Sequence, residues 1–473
     1  MLKENQFILG IDIGDATSSL AYFDTKKMAP QTLDISGGYG KTTMATALQF
    51  IKETKEWVFG DYALQNQSQS NPVLCRLFSS ATKPEHWIRY VDEFLRNILS
   101  INPRAQLAAI VVSQTGGETK NFKIAFDKYK SITFFVPHSK CIFEYHYFTK
   151  KPQNEKLLLL DYGARGLRAG LYTIGKEIKQ ESRTEEAKVA TYLLEASLEE
   201  YFASIFVKAQ NASYLKKEDM INIKNFVQEH KDQVFLRQKS TKLYMNFCFP
   251  PVTCKVAEAN VKEMISPLRR TMMEFLKNFF DKQGVDISDI DTVLLVGGGF
   301  EMSWSKGVVD ELFPDANVVK HKGAMSAMGA TIIGAKKLGF IPKDIAKEIT
   351  IEGFTQLYHD IGVNVKQGKT DVFVPIIERE NFSPGRSYNC TVIVADDTRK
   401  PFTIDIVKRS PAGDVSLAQT LNIDPIHTPP LTTRLNISIV YTGNYFNVKV
   451  VDMGFGELFP STGFSKEYRI EED

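Results

Sequence analysis

The sequence predicts a two-lobed α/β unit followed by an all-β sandwich, and three observations carry that expectation. Three apolar runs, far apart in the chain, each break into a glycine-rich turn with an acidic or small residue beside it. Strand-like and helix-like stretches alternate through residues 1–155, and the plan repeats through 156–345. The stretch 346–356 reads as a linker, and 357–473 is built of period-two runs between Gly, Pro, Asn and Asp turns.

The first run, Phe7 to Ile13, turns at Gly14-Asp15-Ala16 and resumes as Ser18 to Phe23. The second, Leu157 to Asp161, turns through Gly163 to Gly166 and resumes at Leu167. Each predicts a hairpin whose bend presents backbone N–H groups to an anion. The third, Val293 to Val296, ends in Gly297-Gly298-Gly299-Phe300 and opens toward a helix. Between them, Leu107 to Ser113 and Ser131 to Val136 predict strands, and Val189 to Gln210 and Lys262 to Gln283 predict amphipathic helices. Gly40-Lys41-Thr42 imitates the end of a P-loop, but Ile35 stands where that loop needs its first glycine, so it reads as a loop between strands. In the tail, Thr391 to Ala395, Phe402 to Val407, Leu435 to Val440 and Tyr445 to Val451 alternate as half-buried strands do.

Composition bounds the function classes. A chain of 473 residues, 43% hydrophobic and 24% charged, has ample material for two or three cores. A net charge of +2 gives no electrostatic reason to expect nucleic acid. The five scattered cysteines lack a CxxC pair and predict reduced thiols in a cytoplasmic protein. No signal peptide is evident, and no apolar run approaches the ~18 residues of a membrane helix. The seven histidines, among them His138, His146, His321 and His427, show no metal-ligand spacing, and core or surface roles are expected for them.

In order and spacing the three turn segments resemble the two phosphate segments and the adenosine segment of the actin-like (ribonuclease H-like) ATPases, and within them the heat-shock 70 kDa (DnaK-type) chaperones. Gly40 to Thr43, Phe59 to Gln67 and Ala324 to Ala335 match further landmarks of that family. Val372 to Arg386, Pro401 to Val407, Leu417 to Pro430 and Leu435 to Met453 are similar to its peptide-binding β-subdomain. The resemblance implies an ATP/ADP site with Mg²⁺ built on Gly10, Asp12, Gly14, Asp15, Asp161, Gly163, Gly166, Gly297, Gly298, Gly299 and Phe300. Asp12 and Asp161 would act in catalysis and hold the metal through water. It also implies that Ile406, Val407, Leu421 and Ile437 line an apolar pocket for an extended polypeptide. The chain stops at Asp473, where the family continues into a helical lid.

The chain departs from the family where phosphate chemistry would occur. Asp15 and Ala16 stand in place of two threonines and put a carboxylate where a polyanion would sit, a repulsion of several kcal/mol without an intervening cation. The second turn, Asp161-Tyr162-Gly163-Ala164-Arg165-Gly166-Leu167-Arg168, loses the threonine and carries Arg168 at the second acidic position. Cys75 falls at the catalytic lysine, and the segment Pro137 to Lys140 falls near the catalytic glutamate. Phe300 or Glu301 replaces the arginine that stacks on adenine, and an aromatic ring retains that capacity.

These substitutions predict a chaperone-like protein whose ATP hydrolysis is weak or absent. An active ATPase rebuilt around Asp12, Asp161 and the guanidinium groups of Arg165 or Arg168 is the first alternative. In a second, those arginines pair with carboxylates across the cleft and the protein is a nucleotide-independent interaction scaffold, binding one dedicated partner through a sheet edge.

Overall fold

The computed structural model describes residues 6–471 except 36–39, 66, 76–82, 102–105, 115–119, 152–153, 176–177, 322–323, 342–350, 354–356, 358, 368–369, 380–381, 383–385, 396, 410–412, 429–430 and 442–444. Most of the expected linker, 346–356, therefore lies outside the described residues, leaving only the short strand Ile351–Gly353. The chain divides into two compact units, Met1–Lys179 with Glu185–Glu352, and Gly353–Asp473 with Gln180–Thr184. The architecture is mixed α/β, with several sheets in the first unit and a β-rich second unit.

The first unit contains the same small sheet plan twice. Strand β1 (Gln6–Ile13) pairs antiparallel with β2 (Thr17–Asp24) and parallel with β3 (Gln106–Gln114), which pairs parallel with β4 (Thr133–Pro137). Helix α1 (His138–Lys150) follows β4 without an intervening residue. In the second copy, β5 (Glu155–Tyr162) pairs antiparallel with β6 (Leu167–Ile174) and parallel with β7 (Thr292–Val296), which pairs parallel with β8 (Asn317–Lys320). Helix α2 (Met325–Lys337) comes after β8. The strands β7 and β8 are bridged by Ser303–Leu312, a helix that returns the chain for parallel pairing.

Period-two side chains explain why both sheets are covered on both faces. Leu9, Ile11 and Ile13 of β1 pack with Trp87, Tyr90 and Phe94 of the helix Pro84–Ile101, while Ile8 faces Ile332 and Ala335 of α2. Leu158, Leu160 and Tyr162 of β5 pack with Leu198 and Phe202 of the helix Thr191–Ala209, while Leu157 and Leu159 face Ile142 and Phe143 of α1. Each large apolar side chain buried in this way contributes roughly 1.5–3 kcal/mol. Helices α1 and α2 lie between the two sheets, and they approach closely because Gly329 has no side chain. A Cβ there would stand 1.7 Å from the Cys141 carbonyl oxygen.

The second unit is a sandwich of two antiparallel four-stranded sheets among the described residues. Its strands are β9 (Asp360–Gln367), β10 (Thr370–Ile377), β11 (Ser387–Val394), β12 (Phe402–Arg409), β13 (Val415–Ile423), β14 (Thr433–Tyr441), β15 (Tyr445–Asp452) and β16 (Ser465–Glu471). The sheet orders are β10-β9-β12-β13 and β11-β14-β15-β16. Strand β14 shows the governing alternation, with Leu435, Ile437 and Ile439 inside the sandwich core.

Candidate functional site

The two hairpins place Asp12 and Asp161 at matching positions, each two residues before the glycine that opens its turn. Asp12 stands opposite Ser19 of β2 and Ser113 of β3. Asp161 stands opposite Arg168 of β6 and Val296 of β7. Because α1 starts directly after β4, its first residue, His138, enters the space between the two carboxylates.

The imidazole of His138 joins the two sheets. Its Nδ1 lies 2.8 Å from Ser113 Oγ, within hydrogen-bond reach, and 3.6 Å from Asp12 Oδ1, an ion pair without a hydrogen bond. Its Nε2 lies 3.7 Å from Asp161 Oδ2. Ser326 of α2 donates to the other oxygen of Asp12 at 2.5 Å. Arg168 donates to Asp161 Oδ2 at 3.1 Å, and its Nε lies 3.6 Å from Glu185 Oε1. The side chains of His138, Asp161, Arg168 and Glu185 are each 11–16% exposed, so these charges face one another more than they face water.

Electrostatics follow from that arrangement. Burial is the largest single influence on Asp12 and would raise its carboxyl, but the His138 charge, the Ser326 hydroxyl and Arg168 together hold it below its ordinary value. Burial likewise pulls His138 down, and the paired charges of Asp12 and Asp161 more than offset it, so the imidazole titrates above its ordinary value. The result is an imidazole ring between two carboxylates that favour its protonated form, with a guanidinium and a third carboxylate completing the row.

The residues present do not fit a nucleotide with its metal. The first glycine amide of each turn already closes its own hairpin: Gly14 N–H donates to Thr17 O at 2.9 Å, and Gly163 N–H donates to Gly166 O at 3.0 Å. Gly10 serves helix packing, since a Cβ there would stand 2.0 Å from the Ala327 carbonyl oxygen of α2. Gly166 packs against the Glu186 and Ala187 backbone, and Gly299 against the Tyr162 ring. Gly297 adopts φ 92° beside the Tyr162 carbonyl, and Gly298 faces open space. Asp15 is half-buried and Arg165 is exposed on their turns.

Two expectations change here. Phe300 is not offered to a base: it is 2% exposed, with its ring 5.6 Å from that of Tyr162, because the turn after β7 folds back onto β5. Glu301 pairs with Lys320 at 2.8 Å. The position between Asp12 and Asp161 that a hydrated metal would take holds His138. Cys75 ends the strand Val73–Cys75, while Arg76 and Leu77 lie outside the described residues. Among the described residues, no group of three or more His, Cys, Asp or Glu side chains is arranged to hold a metal.

In the second unit, Ile406, Leu421 and Ile437 are 0% exposed and Val407 is 4% exposed. Ile406, Leu421 and Ile437 belong to one packed core with Ile361, Ile377 and Leu435. Among the described residues the sandwich fills this region with its own side chains, and all four residues are buried. Apolar surface appears instead on the edge strands, with Leu417 60% and Val415 42% exposed on β13 and Val372 37% exposed on β10.

Sequence reasoning missed His138 as a site residue by treating histidines as core or surface. The available signal was its place, immediately after a predicted strand. No described helix is long and apolar enough to cross a membrane. Residues 356–471, which span the eight sandwich strands, match a family model described as a domain of unknown function (DUF8552).

Proposed function

We propose that this chain is a nucleotide-independent protein-interaction scaffold, related to the heat-shock 70 kDa chaperones and built on an actin-like two-lobed unit. The doubled sheet plan, hairpin followed by two parallel strands with α1 and α2 between the copies, supports the actin-like reading. The observation that carries the functional reading is the row Asp12, His138, Asp161, Arg168 and Glu185, in which the charged groups a nucleotide and its metal would need are engaged with one another. A further link joins the lobes, where Asn225 of the helix Lys217–Phe235 donates to the Gln67 carbonyl at 3.1 Å. On this reading the first unit is a fixed frame, and ATP hydrolysis is absent.

The partner is a protein segment that adds to a sheet edge of the sandwich rather than a client held in an apolar pocket. Strand β13 suits this role. Tyr468 and Lys466 of β16 cover its Asn422 end through hydrogen bonds to the Asn422 carbonyl, while Val415 and Leu417 at the other end remain exposed.

Calorimetric titration of the full chain with Mg²⁺-ATP and Mg²⁺-ADP, run beside a phosphate-release assay, tests the reading. No saturable heat and no phosphate at ~1 mM nucleotide is the expected result. Saturable binding with hydrolysis that disappears in Asp12→Asn would replace the scaffold with a rebuilt ATPase.

A further inference from the structure

A cavity of about 510 Å³ lies in the first unit between α1 and the edge strand β8. It is lined by His146 and Lys150 of α1, by Glu155 and Thr292 at the starts of β5 and β7, and by Asn317 and His321 at either end of β8. It uses none of the residues of the His138 row.

The lining groups are incompletely satisfied. His146 Nδ1 lies 3.0 Å from His321 Nε2, so one ring donates to the other. His146 is 2% exposed, and its Nε2 has no hydrogen-bond partner among the described residues. Glu155 accepts from Thr292 Oγ1 at 2.7 Å through one oxygen, while its buried Oε1 has no partner among the described residues. Leaving such a group unpaired costs roughly 1–3 kcal/mol. Lys150 makes no ion pair among the described residues, although both imidazoles feel its charge.

We propose that this cavity binds a small organic molecule carrying an oxyanion, phosphate or carboxylate, beside a hydroxyl group. The oxyanion meets the Lys150 ammonium and accepts from His146 Nε2–H, the tautomer in which His321 Nε2–H donates to His146 Nδ1. The ligand hydroxyl donates to Glu155 Oε1, satisfying the second orphan. A volume of about 510 Å³ suits a small metabolite better than a bare ion. A metal is the poorer fit, since the two imidazoles are engaged with each other and no third ligand is arranged with them among the described residues. The inference is independent of the scaffold reading. Burial first, then His321 and Lys150, push His146 down to about 4, and an anion beside Lys150 would raise it.

The test is a titration of the full chain, labelled with ¹³C in the histidine rings, with glycerol 3-phosphate, malate and inorganic phosphate at fixed pH and ionic strength. His146→Asn and His321→Asn assign the two resonances. Saturable movement of both with glycerol 3-phosphate or malate is expected, and whichever of these binds tighter identifies the oxyanion as phosphate or carboxylate. Inorganic phosphate, which lacks the organic hydroxyl, should bind more weakly. Lys150→Gln, at an exposed helix end where folding is not at stake, should weaken binding ~10-fold, the worth of one charge-assisted hydrogen bond. Resonances that stay still at ~20 mM of every ligand, or that move equally in Lys150→Gln, would overturn the proposal.

Discussion

His138 Nε2 lies 3.7 Å from Asp161 Oδ2, and through that approach a helix that begins in the first copy of the sheet plan is fastened to the first strand of the second. The other nitrogen of the same ring, Nδ1, approaches Ser113 and Asp12. One imidazole therefore ties together β1, β3 and β5, which reach the centre of the unit from separate parts of the chain. A charge row of this kind need not add net stability over an apolar filling.

Removing one member of the row should be costly. Arg168→Ala leaves Asp161 and Glu185, 15% and 11% exposed, without their shared guanidinium. Breaking a fully buried pair costs ~3–5 kcal/mol, and residual solvent contact reduces the expectation here to about 2 kcal/mol. Denaturant unfolding of the full chain measures it. The triple variant Asp161→Ala, Arg168→Ala, Glu185→Ala should recover part of the loss, because no uncompensated charge remains. An Arg168→Ala midpoint equal to wild type would show that the row carries no coupling.

Stability should depend on pH in two separable limbs. His146 is depressed to about 4, so between that value and 6.5 the unfolded chain binds the proton the folded one refuses, and stability rises with pH by up to about 1.4 kcal/mol per unit. His138 is raised above 6.5, so its contribution is complete below 6.5 and is lost as pH climbs through the folded value. Asp12 is lowered, so its contribution is present above 3.8 and fades only at more acidic pH. Melting temperature against pH should show His146→Asn flattening the acidic limb and His138→Asn flattening the alkaline one. Identical profiles for the two variants would contradict the assignment of opposite shifts.

The elements legible in the sequence were those specified locally. The apolar runs at Phe7 and Leu157, followed by glycine turns, are hairpins because a short turn permits only antiparallel return. Alternation at Leu435, Ile437 and Ile439 placed one face of β14 inside, yet alternation alone cannot distinguish a strand that lines a pocket from one that fills a core. Ile406 and Leu421 are of the second kind. His138 was less legible because its partners, Asp12 and Asp161, come from strands distant in sequence, and only the register of three parallel pairings brings them together. Phe300 was misjudged for the same reason: the ring that covers it belongs to Tyr162 on another strand.

The close approach of α1 and α2 makes a prediction in which two effects have opposite signs. Helix propensity alone favours Ala over Gly by about 1 kcal/mol, so Gly→Ala inside a helix stabilises wherever there is room. Gly307 is such a position, exposed in the helix Ser303–Leu312 with nothing within 4 Å of its would-be Cβ, and Gly307→Ala should raise stability by roughly that amount. At Gly329 the added carbon would meet a backbone carbonyl at 1.7 Å, an obstacle that cannot rotate away. Gly329→Ala must separate the helices and disturb the start of α1 where His138 sits, and a net loss of roughly 1–3 kcal/mol is expected despite the propensity gain. Paired denaturant melts of the two variants decide the matter. Stabilisation by Gly329→Ala would mean that α1 and α2 are not held at this distance and that His138 is free to leave the carboxylates.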